Sequence, residues 1–162
     1  MLQRVQSVWM TLTVALVCIA LLMPVIYFSM AGADFRVMTY GLKSVSGEVL
    51  AGGEELTAPV LSACLTALLG LAALVPLVAM FFYRRRLIQT RLLGAEFVLL
   101  LGGAGFMGYY VWTFYGIVAG VSENYFLSFF PLVLVAAMVV NYLAIRGVLR
   151  DEMMVRAADR IR

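Results

Sequence analysis

The chain has 162 residues, 64% of them hydrophobic, and a mean hydropathy of +1.01. A soluble domain is about 45–50% apolar, so the composition speaks against a water-soluble globule and for a bilayer. The formal charge of +3 decides little by itself, but there is no histidine. That removes Ser-His-Asp triads, histidine-ligated haem or metal, and imidazole proton relays.

Four apolar runs follow one another, over 8–30, 58–83, 92–119 and 127–149. Each reaches the roughly 20 residues that carry a helix across a hydrocarbon layer at about 1.5 Å per residue. Arg4, then Arg84, Arg85, Arg86 and Arg91, then Arg146, Arg150, Arg156, Arg160 and Arg162 fall on one side of this pattern. Only Arg36 and Lys43 fall on the other. Lysine and arginine resist translocation, so the crowded side is cytoplasmic and both termini are inside. Topology and anionic lipid account for these arginines, and no nucleic-acid partner is expected.

In the first run, Pro24 predicts a kinked helix with a freed Ala20 carbonyl. This run is longer than the roughly 7–15-residue core of a signal peptide, so Ala31-Gly32-Ala33 is read as following a retained span. The outer loop over 31–57 is the one extramembrane segment large enough to fold separately. Phe35, Val37 and Thr39 alternate with Arg36, Met38 and Tyr40, and 45–50 could return as a second strand, with glycines 41, 47, 52 and 53 as turns.

The second span begins at Pro59, a residue suited to a helix's first turn, and contains Pro76, which frees the Ala72 carbonyl. Cys18 and Cys64 lack a Cys-x-x-Cys spacing, and their depths differ by roughly 13 Å at helical rise. Both are expected to be buried hydrophobes rather than a redox pair.

The third span carries Glu96, the one acidic residue inside a span, about 7.5 Å inside the cytoplasmic boundary. Asn141 on the antiparallel fourth span falls at similar depth, which predicts a Glu96–Asn141 contact. Gln89, Glu96, Gly103 and Tyr110 recur at seven-residue steps and share one stripe. Gly94, Gly102, Gly103, Gly105 and Gly108, with Ala104, offer close approach to other helices. A proton or ion site lined by Glu96 and Tyr110 is one reading. The other is an interhelical hydrogen bond that fixes register, or a carboxylate snorkelling toward Arg91.

Aromatics mark the interfaces, with Tyr27, Phe28, Trp112, Phe114, Tyr115, Tyr125, Phe126, Phe129 and Phe130 at the outer ends. Trp9, Phe81, Phe82 and Tyr83 form the inner belt. The short second outer loop makes spans three and four antiparallel neighbours. Beyond span four, Leu149, Met153, Ala157 and Ile161 repeat every four residues, which predicts an amphipathic helical tail over 150–162. Asp151, Glu152, Arg156 and Asp159 on this tail, with Arg4 and the loop residues Arg84, Arg85, Arg86, Gln89 and Arg91, form a candidate cytoplasmic clasp or partner surface.

Three stretches carry a resemblance: Met1 to Val8 at the start, Tyr83 to Leu92 in the central loop, and Arg150 to Arg162 at the end. They resemble, in order along the whole chain, the bacterial four-span domain-of-unknown-function family numbered four-two-nine-three, of Bacteroidetes type. The resemblance implies a Gram-negative inner membrane with periplasmic outer loops, and it brings no activity.

The sequence therefore predicts an all-α membrane protein of one domain, 1–162. Its fold is a four-transmembrane-helix bundle with a small outer loop cap, for which a β-hairpin is one form, and an amphipathic cytoplasmic helical extension. No cofactor, metal or catalytic residue is expected. The expected role is a non-enzymatic accessory or assembly subunit of an envelope complex, with the bilayer and a membrane-protein partner or second copy as its contacts. The alternative is a small proton- or ion-linked transporter or channel using Glu96.

Overall fold

The structure, a computed structural model, describes residues 2–30, 33–44, 59–82, 85–118 and 124–159. Among the described residues there are four helices, α1 (Leu2–Leu22), α2 (Pro59–Phe81), α3 (Arg86–Val118) and α4 (Phe130–Asp159). Three of them contain stretches long and apolar enough to cross a membrane: Val60–Phe81, Leu87–Gly116 and Phe130–Val155. The apolar stretch of α1, Gln6–Leu22, is shorter. Helix α2 opens on Pro59, whose missing N–H costs nothing in a first turn, and it runs on through Pro76.

The helices form a ring, in which α1 packs on α2 and α4, and α3 packs on the same two neighbours. One seam per helix faces the interior. On α1 it holds Gln6, Met10, Thr13, Val17 and Ala20; on α4 it holds Phe130, Leu134, Ala137, Asn141, Ala144, Val148 and Asp151. On α3 the buried positions are Gln89, Leu93, Glu96, Leu100, Gly103, Met107, Tyr110 and Phe114. Steps of three and four alternate throughout, the 3.5-residue repeat of helices that wrap with a left-handed twist. Large apolar side chains cover the opposite faces: Leu71 and Leu74 on α2, Val98 and Leu101 on α3, Leu132, Val135 and Val139 on α4. A helix apolar on its outer face as well as its inner one is built for an apolar surrounding.

The first predicted span ends early. Pro24 does not kink α1; the helix stops at Leu22, and Pro24–Met30 is strand β1. Proline cannot donate the helical bond, and the residues after it, Val25, Ile26, Tyr27 and Phe28, are β-branched and aromatic strand formers. Strands β2 (Ala33–Met38), β3 (Gly41–Ser44) and β4 (Asn124–Leu127) complete an antiparallel sheet in the order β3-β2-β1-β4. Phe28 pairs with Phe35 and Tyr125, and Val37 pairs with Ile26 and Leu42. The cap is thus larger than a hairpin, and the second outer loop supplies one of its strands. The return strand pairing with β2 is Gly41–Ser44, whereas the expected return over 45–50 lies outside the described residues. At the β2–β3 turn, Gly41 adopts a φ of +144°, a backbone region where side chains are strained.

The sheet is seated on the ring by its turn. Thr39, fully buried, donates its hydroxyl to the Leu21 carbonyl at 3.3 Å, and Thr66 of α2 donates to the Thr39 carbonyl at 2.7 Å. The first bond satisfies one of the carbonyls that the last turn of α1 leaves without a helical partner. Beneath the sheet, Phe28 stacks on Phe35 at 5.3 Å between centroids and tilts against Phe114 at 5.8 Å. Phe28, Phe114 and Phe130 are therefore core residues rather than members of an interfacial belt, while Trp112, Phe126 and Phe129 are exposed.

Two further expectations change. Cys18 and Cys64 are free but exposed on the outer faces of their helices, not buried. Of the α3 glycines, Gly103 alone meets a neighbouring helix: a Cβ there would lie 3.0 Å from Leu68 Cδ2 and 3.3 Å from Leu69 Cδ2. Gly94, Gly102, Gly105 and Gly108 face open space. Gly103→Leu should therefore overpack the α2–α3 seam and destabilise the ring by about 1–3 kcal/mol. Gly105→Leu should not, and thermal unfolding of the two variants in the same detergent separates them.

Candidate functional site

The ring interior carries a run of polar side chains toward the end opposite the sheet. Gln6 of α1 donates from Nε2 to the Gly147 carbonyl of α4 at 3.2 Å, bridging those helices. Gln89 of α3 is only 5% exposed and points Nε2 at Met10 Sδ, 3.6 Å away, a weak acceptor. It faces the interior, so it is not part of a cytoplasmic surface. One to two turns toward the sheet lie Thr13, Glu96 and Asn141, the last two both 0% exposed.

Glu96 and Asn141, expected in contact, are both in this layer, and no hydrogen bond joins them. Asn141 Nδ2 donates instead to the Leu93 carbonyl at 3.3 Å. A carbonyl only accepts, so this bond fixes which end of the Asn141 amide faces α3. Its Oδ1 and both carboxylate oxygens of Glu96 are buried without a hydrogen-bond partner among the described residues. The two side chains share a layer because α3 and α4 run antiparallel and Leu93 lies one turn before Glu96 on the same seam. Side chains lean toward a helix's N-terminus, which carries the Glu96 carboxylate back toward the Leu93 level.

Tyr110 does not join this site. It shares the seam but lies fourteen residues further on, about 21 Å along the helix. There it packs on Phe114, with centroids 6.4 Å apart, beneath the sheet, and its hydroxyl is buried without a hydrogen-bond partner among the described residues.

At the ring's other end, Arg85 and Arg91 are exposed, Glu152 is half-buried and Asp151 is 8% exposed, the last residue of the α4 seam. Arg84 and the side chains of Arg4, Arg86, Arg156 and Asp159 lie outside the described residues. The tail does continue α4 as helix, but its apolar repeat is turned outward: Leu149 and Met153 are exposed where Val148 and Asp151 face the ring.

Two clefts lie at the sheet, away from Glu96. One, of about 320 Å³, is lined by Ile26, Val111, Phe114, Tyr115, Tyr125 and Leu127, with a Tyr125–Tyr115 hydroxyl hydrogen bond of 2.8 Å at its rim. The other, of about 360 Å³, borders Ser29, Asp34, Arg36 and Asn124. No cluster of three potential metal-ligating His, Cys, Asp or Glu side chains occurs among the described residues.

Sequence reasoning missed Gln6 and Thr13 as members of the interior polar set. Their signal was present, since both sit at the three-and-four spacing of Met10 and Val17 on an otherwise apolar helix.

Together these features define a class: a ring of helices, three of them fit to cross a bilayer, with apolar side chains outward and a polar layer buried within. The chain belongs to the family described as a domain of unknown function, DUF4293, which matches residues 2–161. No curated protein matches it.

The bonds around Asn141 set the expected behaviour of variants. Asn141→Leu removes the tie to Leu93 and should destabilise the ring by about 1 kcal/mol, a typical value for an interhelical polar bond in membranes. Tyr110→Phe deletes a hydroxyl that has no partner, so its Tm should equal or exceed that of the parent.

Proposed function

We propose that the chain is a four-span protein of the bacterial inner membrane with both termini in the cytoplasm, acting as a non-enzymatic accessory or assembly subunit of an envelope complex. Helix α1 counts as the fourth span because it lies between α2 and α4 in the ring, and its 17-residue apolar stretch sits at the lower limit for crossing. The ten arginines gathered at the termini and the α2–α3 connection support the orientation.

One observation carries the accessory role. The cap gathers both outer connections into a single sheet, and β4 is exposed along its whole length at the sheet's edge. An open edge strand bearing Tyr125, Phe126 and Leu127 is the feature of this fold best suited to hold a partner chain. The exposed Met153, Met154 and Val155 of the α4 extension offer a second contact on the cytoplasmic side.

The test is purification from native membranes in mild detergent or nanodiscs, with mass spectrometry of what co-purifies. A stoichiometric partner that is lost on truncation after Arg150, with insertion unchanged, is the expected result. A lone monomer, or a homo-oligomer without other proteins, would sink the accessory reading. The orientation is checked separately: cysteines placed at Ser44 and at Arg150 should react with an impermeant maleimide from outside and from inside, respectively.

A second reading is favoured by a specific observation, the buried Glu96 carboxylate without a partner. It makes the chain a small ion-linked carrier, usually oligomeric. Glu96→Gln should then abolish proton or cation flux in proteoliposomes while leaving folding intact, and unchanged flux would remove this reading.

A further inference from the structure

We propose that the layer around Glu96 and Asn141 is a binding site for one monovalent alkali cation, of the size of sodium. The inference rests on the ion-linked reading of Glu96 and names its ion and ligands.

This level of the ring is rich in acceptor oxygens that no donor among the described residues occupies. Both Glu96 oxygens and Asn141 Oδ1 are buried without a hydrogen-bond partner among the described residues, and one N–H of the Asn141 amide is committed to the Leu93 carbonyl. Thr13 donates its hydroxyl proton to the Trp9 carbonyl at 3.0 Å, so toward the interior it offers lone pairs. Thr13 lies three residues beyond Met10 and Leu93 four beyond Gln89, and the Gln89–Met10 contact aligns the two helices. Thr13 and Leu93 therefore share a level. Helix α2 adds a backbone oxygen. Pro76 has no N–H, so the Ala72 carbonyl receives no i+4 bond, and both residues are on the buried face. The Gly103–Leu69 approach sets the register of α2 on α3. In that register the freed carbonyl lies roughly 6 Å axially from the Glu96 backbone, on its sheet side.

Carboxylate, amide, hydroxyl and peptide oxygens form a hard donor set, suited to alkali or alkaline-earth ions rather than to soft metals. Charge decides between those. Among the described residues, no lysine or arginine is buried, so Glu96 supplies the layer's single formal charge. One positive charge neutralises it, whereas a divalent ion would leave an unpaired charge in the core. A helix carbonyl released inside the ring is the kind of ligand that sodium sites use at membrane depth.

The experiment uses the full chain in nanodiscs and dicyclohexylcarbodiimide, which modifies carboxyl groups in apolar surroundings, with mass spectrometry of the Glu96 peptide. At constant pH, sodium at ten times its Kd should slow modification of Glu96 about tenfold relative to choline. Potassium should protect less, and Asn141→Ala should weaken protection by sodium while leaving Glu96 reactive. Thermal unfolding gives a second readout: sodium should raise the Tm of the parent and leave that of Glu96→Gln unchanged, once circular dichroism shows the variant folded. Equal modification rates in sodium and choline, or a sodium-independent Tm in the parent, would overturn the site. Flux separates this from the carrier reading. Glu96-dependent proton flux with sodium-insensitive modification keeps the carrier and removes the cation site. Sodium protection without flux keeps the site and removes the carrier.

Discussion

A seam of residues at alternating three- and four-residue steps, one seam per helix, governs the ring. Four helices that each bury a 3.5-residue repeat can close on one another with a slight left-handed wrap, every seam meeting two neighbours. Any residue at a seam position is then committed to the interior whatever its chemistry. Glu96 and Asn141 are enclosed for the same geometric reason as Leu100 and Leu134. On α3 the one glycine that matters for packing, Gly103, is the one on the seam, and Gly94, Gly102, Gly105 and Gly108 off it face open space.

The ends of the helices are governed by a different requirement. A helix leaves its last carbonyls without partners, and in hydrocarbon no water can take their place. The fold answers at the sheet end with a protein donor, the Thr39 hydroxyl on Leu21, held in turn by Thr66. A sheet with open edges cannot lie within a hydrocarbon layer, so β1 through β4 mark where that layer must stop. The switch from α1 to β1 at Pro24 is therefore a boundary in depth as well as in secondary structure. The aromatic stack of Phe28, Phe35 and Phe114 makes ring and sheet one continuous core across that boundary.

The polar layer is where stability and function meet. Asn141 ties α4 to α3, and Gln6 ties α1 to α4, so part of the polar content fixes register between helices. The remaining oxygens of Glu96 and Asn141 contribute nothing to that tie. Unpaired acceptors in an apolar interior are costly, and the proposed cation would offset that cost. Register and binding then share residues, and a partner or ligand that shifted α3 against α4 would alter both.

Much was legible in the sequence. The second, third and fourth apolar runs form the body of helices α2, α3 and α4 because a long apolar stretch has few other ways to satisfy its backbone, although Leu127, expected to open the fourth span, belongs to β4. The stripe of Gln89, Glu96, Gly103 and Tyr110 is buried because a helix imposes its period on any side chain. The nature of the residues just after Pro24 was not legible from apolarity. Val25 to Phe28 read equally as the end of a helix or as a strand, and only pairing with β2 and β4 decided it. Pairing is a long-range event: Ile26 meets Leu127, a hundred residues away. Depth along the seam was also a matter for the tertiary structure. The seven-residue stripe put Tyr110 and Glu96 on one face, but the register of α4 against α3 placed Asn141 beside one and the sheet above the other. The sequence by itself determined what each helix hides and what it shows, since that follows from local periodicity. The assembled ring alone decided which hidden polar groups pair, as Asn141 does with the Leu93 carbonyl, because no local pattern encodes the offset between helices.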